Sequence, residues 1–215
     1  MKNQLKIAIS TRITNAQNYD EKRDSISHEW SALLEKLEFI PILIPNSLKN
    51  VEKFLASQKI DGIIMSGGDN IGEDELRDKT EKNILNYSIK NKIPVFGVCR
   101  GMQLINKFFN GEIVKTDDKK HVGTKHGIIL KNNKIKSKIF MKNILEVNSF
   151  HNNIITKNNL GEELEILAVD PNDDSIEAIK HKKLPIIGVM WHPERKSGKD
   201  SEFLLKKFFE RVNTK

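Results

Sequence analysis

The chain has 215 residues, one cysteine and a formal net charge of +7. One cysteine excludes an internal disulfide and fits a reducing compartment, and no apolar run approaches the ~18 residues that span a bilayer. The opening "MKNQLKIAIS" has no charged head followed by a long apolar stretch, so a signal peptide is not expected and a soluble, cytoplasmic protein is. The basic excess is mostly scattered lysine, without clustered arginine and interleaved aromatics, so neither nucleic acid nor membrane is an expected partner. Its densest run, residues 131–142, reads as a solvated surface.

In chain order, "LKIAIS" (5–10) reads as a strand and "SHEWSALLEKL" (27–37) as an amphipathic helix. "FIPILIP" (39–45) is a second strand, followed by a helix over 47–58 with Ser47 as its cap. "DGIIMSGG" (61–68) is a third strand ending on a glycine pair. A charged helix follows within 73–90, then the strand "IPVFGV" (93–98) and the helix "RGMQLINKFF" (100–109). Apolar strands separated by helices point to a parallel sheet covered on both faces. The second half is a series of short β-like runs, "GEIVKT", "HGIIL", "ILEVNSF", "LEILAVD", "SIEAIKH" and "LPIIGVMW", closed by a helix over 200–212. The expected fold is a single α/β domain over residues 1–215, with a doubly wound, mostly parallel sheet, helices on both faces and additional antiparallel strands.

Cys99 falls where a strand turns into a helix, and ligands of open parallel sheets bind beyond the carboxyl ends of the strands. "GVCRG" (97–101) has the Gly-x-nucleophile-x-Gly pattern of a nucleophile elbow, in which Gly97 and Gly101 leave room for a sharp turn. The helix N-terminus there would favour thiolate. A buried cysteine in an ordinary junction is the competing reading. "WHPE" (191–194) follows an apolar run. His192 shares the rim with Cys99 if their strands are parallel neighbours, and could act as general base and acid, oriented by Glu194. Residues 192 and 194 fall on the same side of an extended chain. In "MSGGD" (65–69), Gly67 and Gly68 either make an ordinary turn or offer backbone N–H groups that, with that of Arg100, form an oxyanion hole. Nucleophile, base, orienting acid and oxyanion donors together suit acyl transfer through a thioester.

"GVCRGMQ", "SGGD" and "WHPE" resemble the class I glutamine amidotransferase signature. The resemblance implies a flavodoxin-like fold and a Cys99–His192–Glu194 triad attacking a γ-glutamyl carbonyl, with Gly68 and Arg100 N–H groups holding the oxyanion. It also implies that Gln103 helps bind the glutamyl group and that Ser149, Phe150 and His151 of "VNSFHN" (147–152) contact its α-substituents. "YDEKRDSISHEW" (19–30), "CRGMQLIN" and "SIEAIKH" followed by "PIIGVMWHPE" are similar to the stand-alone γ-glutamyl hydrolases of the peptidase C26 group, which includes γ-glutamyl-γ-aminobutyrate hydrolase. The chain as a whole is similar to the γ-glutamyl nucleotide-amidate hydrolases of capsule phosphoramidate synthesis, which implies release of CDP-amidate and glutamate. A glutaminase subunit supplying ammonia to a synthase partner is the rival, and a homodimer is also compatible. No metal or cofactor is expected, because no histidine or acid grouping has zinc spacing such as H-E-x-x-H.

Tyr19 and Arg23 read as either substrate-recognition residues or the surface start of a loop or helix after the first strand. His121 and His126 read as surface positions, and Trp30 and Trp191 as packing residues. Arg12, Arg23, Lys125 and Arg195 are the basic side chains that could meet a diphosphate.

Overall fold

The computed structural model describes residues 4–116, 119–131, 144–195 and 199–212. The first half alternates strands β1 (Lys6–Ser10), β4 (Ile40–Ile44), β5 (Gly62–Met65) and β6 (Val95–Val98) with helices α1 (His28–Lys36), α2 (Val51–Gln58), α3 (Glu75–Asn91) and α4 (Arg100–Phe108). A polar hairpin, β2 (Arg12–Asn15) and β3 (Lys22–Ser25), intervenes after β1. The second half holds β7 (Val114–Lys115), β8 (Val122–Leu130), β9 (Ile144–Phe150), β10 (Asn153–Ile154), β11 (Leu164–Val169), β12 (Ile176–His181) and β13 (Ile186–Val189), followed by α5 (Lys199–Val212).

Nine strands form one sheet in the order β4-β1-β5-β6-β13-β12-β11-β8-β9. The block from β4 to β13 is parallel, and the strands from β12 to β9 continue it antiparallel. This is the expected doubly wound sheet with an antiparallel extension. Its faces follow from side-chain alternation: Ile7 and Ile9 of β1 pack with Trp30 and Leu34 of α1 and Phe208 and Phe209 of α5. Ala8 faces the other way, into a cluster with Leu55 of α2, Ile84 of α3 and Met102 of α4.

Local chemistry sets the helix starts. α1 is capped by the Ser27 hydroxyl and α3 by Asp74, whose carboxylate accepts from Leu76 and Arg77 N–H. The cap of α2 differs from expectation. Asn50 Oδ1 accepts from Lys53 N–H at 2.8 Å, so the helix begins at Val51 rather than near Ser47. The hairpin also differs from the loop or helix start expected after β1. Asp24 fixes its base, accepting from Thr11 Oγ1 at 3.1 Å and from Asn46 N–H. The basic run over 131–142 lies outside the described residues except Lys131.

The register places β6 and β13 side by side, Gly97 opposite Gly188 and Val98 opposite Val189. Cys99 and His192 therefore leave neighbouring parallel strands at the same edge. In a flat sheet β9 would stand four strand spacings, roughly 19 Å, from β13. Asn148 of β9 instead bonds the His192 backbone, so the antiparallel extension curls back over that edge.

Candidate active site

The elbow is forced by close approach. A Cβ on Gly101 would lie 2.2 Å from the Met65 carbonyl oxygen, and one on Gly97 would lie 2.7 Å from the Gly101 carbonyl carbon. Between them Cys99 takes φ 50° and ψ −104°, a strained backbone for a residue with a side chain. Its N–H donates to Val189 O at 2.7 Å and its carbonyl accepts from Gln103 N–H at 3.0 Å, tying the turn to β13 and α4. The thiol is buried, and burial pushes it up to about 12. A hydrogen bond from the Arg100 backbone N–H pulls the other way but does not prevail. This corrects the expectation that the helix N-terminus yields a resting thiolate. The cysteine is a thiol until a base takes its proton.

Gly67 separates the thiol from the histidine. A Cβ there would stand 3.5 Å from Cys99 Cβ and 2.8 Å from His192 Cε1. His192 Nδ1 is 2.7 Å from Glu194 Oε1, both side chains being buried, which leaves Nε2 for the proton of a reacting group. The His192 main chain is clamped by one amide. Asn148 Nδ2 donates to His192 O at 2.9 Å, and His192 N–H donates to Asn148 Oδ1 at 2.8 Å. Asn148 lies inside "VNSFHN", but nothing local in the sequence marks it as the residue that positions a base 44 residues away.

The glycine loop is held from behind. Arg77 Nη2 donates to Gly67 O at 3.0 Å and Ser66 O at 3.2 Å. In a trans peptide the C=O and the following N–H point oppositely, so this bond turns the Gly68 N–H away from Arg77. Gly68 has φ +126°, open to glycine and strained for other residues. Arg77 and Arg100 are both buried against Glu81. Arg100 also pairs with Asp78, and Glu81 accepts from Ser10 Oγ at 2.7 Å. Burial and the neighbouring Arg77 charge lower the Arg100 guanidinium to about 10, so it stays charged at neutral pH. Only its backbone N–H reaches the rim.

The remaining candidates separate. Gln103 is buried on α4 and lines a polar cavity of about 380 Å³ with Asn70, Lys107, Lys115, Asn152 and Asn153. Phe150 is 43% exposed, packs edge-on to the His192 ring at 5.8 Å, and carries the Arg195 guanidinium over its face at 4.3 Å. Ser149 turns inward and donates to His121 O at 2.9 Å. His151 is buried, with Nε2 3.5 Å from Glu177 Oε1. Tyr19 and Arg23 stand exposed on the hairpin, bonded to each other, with Arg23 also paired to Glu21 at 2.5 Å.

His121 and His126 are not surface residues. His121 is 2% exposed, stacks on His151 with ring centroids 4.7 Å apart, and bonds Asp173 at 2.7 Å. His126 approaches Glu177 at 3.5 Å and Asp170 at 3.8 Å. Strand pairing buries them, through the curl of β8 and β9 towards β12. Burial alone would raise the Glu177 carboxyl, but His126 and His151 outweigh it and hold it down at about 2. Among the described residues, the groups spaced to share a cation are His121, His126 and Glu177, and His121, Asp170 and Asp173. Both belong to this cluster, where imidazoles already face the carboxylates. Trp30 and Trp191 are core residues, as expected.

The sequence profile of the peptidase C26 family matches residues 6–194. The chain belongs to the peptidase C26 family. Among relatives of this C26 protein, the gamma-glutamyl-CDP-amidate hydrolase of Campylobacter jejuni is 33% identical, with 96% of this chain and 98% of the relative aligned. The glutamine-hydrolysing subunit of a GMP synthase from Methanococcus maripaludis is 29% identical over 84% of this chain and 88% of its own. In solved structures, a protein from Thermoplasma acidophilum assigned as a GMP synthase subunit superposes with a TM-score of 0.75 at 20% identity, all of both chains being covered. A glutamine amidotransferase from Thermotoga maritima gives 0.66 at 12% identity, over 99% of this chain and 85% of the other. The C26 fold is thereby that of the amidotransferase-like sheet. Among the described residues no helix is long and apolar enough to cross a membrane.

Proposed function

We propose that this C26 protein hydrolyses a small γ-glutamyl amide through a γ-glutamyl thioester on Cys99. The observation that carries the reading is Gly67, whose missing side chain lets Cys99 and the Glu194-bound His192 meet across it. His192 Nε2 takes the thiol proton as sulfur adds to the γ-carbonyl, and Glu194 stabilises the imidazolium. The Gly68 and Arg100 N–H groups donate to the oxyanion. Collapse breaks the C–N bond, with His192 returning the proton to the departing nitrogen. A water, deprotonated by His192, then splits the thioester, releasing glutamate and restoring the thiol. Because the resting group is a thiol, proton removal and attack are coupled and His192 is indispensable. Gln103 and its cavity receive the glutamyl group, with Phe150 at its edge.

The leaving group in this reading is CDP-amidate, supported by the full-length kinship with the Campylobacter hydrolase. γ-Aminobutyrate is the alternative amine. A second reading, a glutaminase subunit working with a synthase, is supported by kinship with the glutamine-hydrolysing subunit of GMP synthase. The test is glutamate release by the purified protein, with Cys99→Ala as control, from γ-glutamyl-CDP-amidate, γ-glutamyl-γ-aminobutyrate and glutamine. Cys99-dependent release from one γ-glutamyl amide, with glutamine poor, is expected. Release from glutamine alone, or none until a synthase is added, would replace the first reading with the second.

A further inference from the structure

Four basic side chains are candidates for an anionic substrate, and the structure sorts them. Arg23 is paired with Glu21 on the exposed hairpin, and Lys125 faces Glu146 at 3.6 Å on the outer strands. Arg12 and Arg195 instead line a narrow cleft with Ser27, Ser66, Gly67 and Glu194, directly beside the glycine loop. Arg12 reaches that loop closely: a Cβ on Gly68 would fall 3.1 Å from its Nε and Nη2. Its guanidinium has no hydrogen-bond or ion-pair partner among the described residues. The neighbouring Arg77 and Arg100, by contrast, are bound to Glu81, Asp69 and Asp78. Arg195 lies over Phe150, with Glu29 no nearer than 4.0 Å. The carboxylate in the cleft, Glu194, is engaged with His192.

The group that protonates a departing nitrogen must stand beside it. The leaving group therefore lies on the His192–Glu194 side, where this cleft opens, and the Gln103 cavity is left for the glutamyl moiety. We infer that Arg12 and Arg195 form an anion-binding mouth that receives a phosphoryl group carried by the leaving group. The assignment of sides rests on the γ-glutamyl hydrolase reading above. Guanidinium forks match phosphoryl oxygens bidentately, and a partly enclosed, unpaired arginine gains more from such a ligand than an exposed, paired one. The loop that carries an oxyanion donor and the cation that grips the leaving group then stand in contact.

The experiment compares kcat/KM for γ-glutamyl-CDP-amidate, γ-glutamyl-γ-aminobutyrate and the uncharged γ-glutamyl-p-nitroanilide in wild type, Arg12→Ala and Arg12→Lys. Losing a charge-assisted hydrogen-bond pair should lower the preference for the phosphoryl substrate over the anilide by about tenfold or more in Arg12→Ala, and less in Arg12→Lys. CDP titrated into Cys99→Ala protein should bind, and bind more weakly by a similar factor when Arg12→Ala is added. Equal losses on all three substrates would make Arg12 a prop for the glycine loop and overturn the proposal. A loss confined to the γ-aminobutyrate substrate would make the mouth a carboxylate site and overturn it too. Hydrolysis with no Arg12 effect rejects the mouth but leaves the reaction standing. Arg12-dependent CDP binding without turnover of any γ-glutamyl substrate keeps the mouth and rejects the reaction.

Discussion

Two buried charged clusters flank the elbow, and they use different cations. On the parallel side, Arg77 and Arg100 surround Glu81 under the glycine loop. On the antiparallel side, His126 and His151 surround Glu177, with His121 and Asp173 stacked and bonded beside them. Both carboxylates are fully buried, and both sit one layer behind a rim segment: the glycine loop in one case, residues 148–151 in the other. The difference lies in titration. Guanidinium keeps its charge at any pH the fold meets, whereas imidazole changes charge in the physiological range. The oxyanion side is thus held by pH-independent ion pairs, and the side bearing Phe150 and the Asn148 clamp by pairs that respond to pH.

The largest effect that would break this comparison is at Glu81. Glu81→Gln leaves two buried guanidinium groups short of a counter-charge, a change that costs about 3–5 kcal/mol when one partner of a buried pair is lost. Urea denaturation should show that loss at pH 5 and pH 8 alike. A loss below about 1 kcal/mol would mean that Asp78 and Asp69 alone neutralise the pair, against the usual cost of a broken buried pair.

Glu177→Gln should cost less and, unlike Glu81→Gln, depend on pH. Glu177 is held down at about 2 from an ordinary 4.5, so its contribution is complete above about 4.5 and is lost as pH falls towards 2. His126 is shifted the other way: burial lowers it, but Glu177 and the nearby aspartates prevail and raise it above 6.5. Its contribution is complete below 6.5 and is lost as pH rises through that raised value. Wild-type stability from this cluster should therefore peak between about 4.5 and 6.5, and Glu177→Gln should flatten the peak in a series of denaturation curves. An unchanged profile in the variant would show that the histidines do not sense Glu177.

The smallest of the three changes is at Asn148, which joins the two sides. Asn148→Ala removes both hydrogen bonds to the His192 backbone and should cost about 1–3 kcal/mol of stability. If the clamp positions the base, kcat should fall more than KM rises, with CDP affinity preserved. A KM effect alone would assign Asn148 to substrate binding instead.

What the sequence could tell follows the range of the interactions. The elbow is five residues long, and the steric demand on Gly97 and Gly101 is met within the strand, the turn and the neighbouring Met65, so it could be read directly. The strands and helices of the parallel block were legible because their apolar periodicity is strong. The β2–β3 hairpin was not, since "RITN" and "KRDS" carry no apolar alternation and Asp24 holds the hairpin through bonds to Thr11 and Asn46. His121 and His126 look polar and exposed locally; pairing and curling of β8, β9 and β12 bury them. The thiol state was misread for a related reason. The helix end favours thiolate, but the packing that closes over Cys99 is contributed from elsewhere and decides the balance. Asn50 replaced Ser47 as a cap because both suit that role, and tertiary packing selects between them.

The Asn148 clamp also orders events in time. The elbow is local and forms with the strand-helix unit that contains it, but the base is fixed by an amide from a strand four positions across the sheet. Pairings of that sequence separation close slowly, because the loop between the partners must be ordered before any contact rewards it. On refolding, helix signal should return before enzyme activity does. Turnover in this protein is therefore a clock for the last strand to dock, and a chain arrested with its nucleophile in place is still silent.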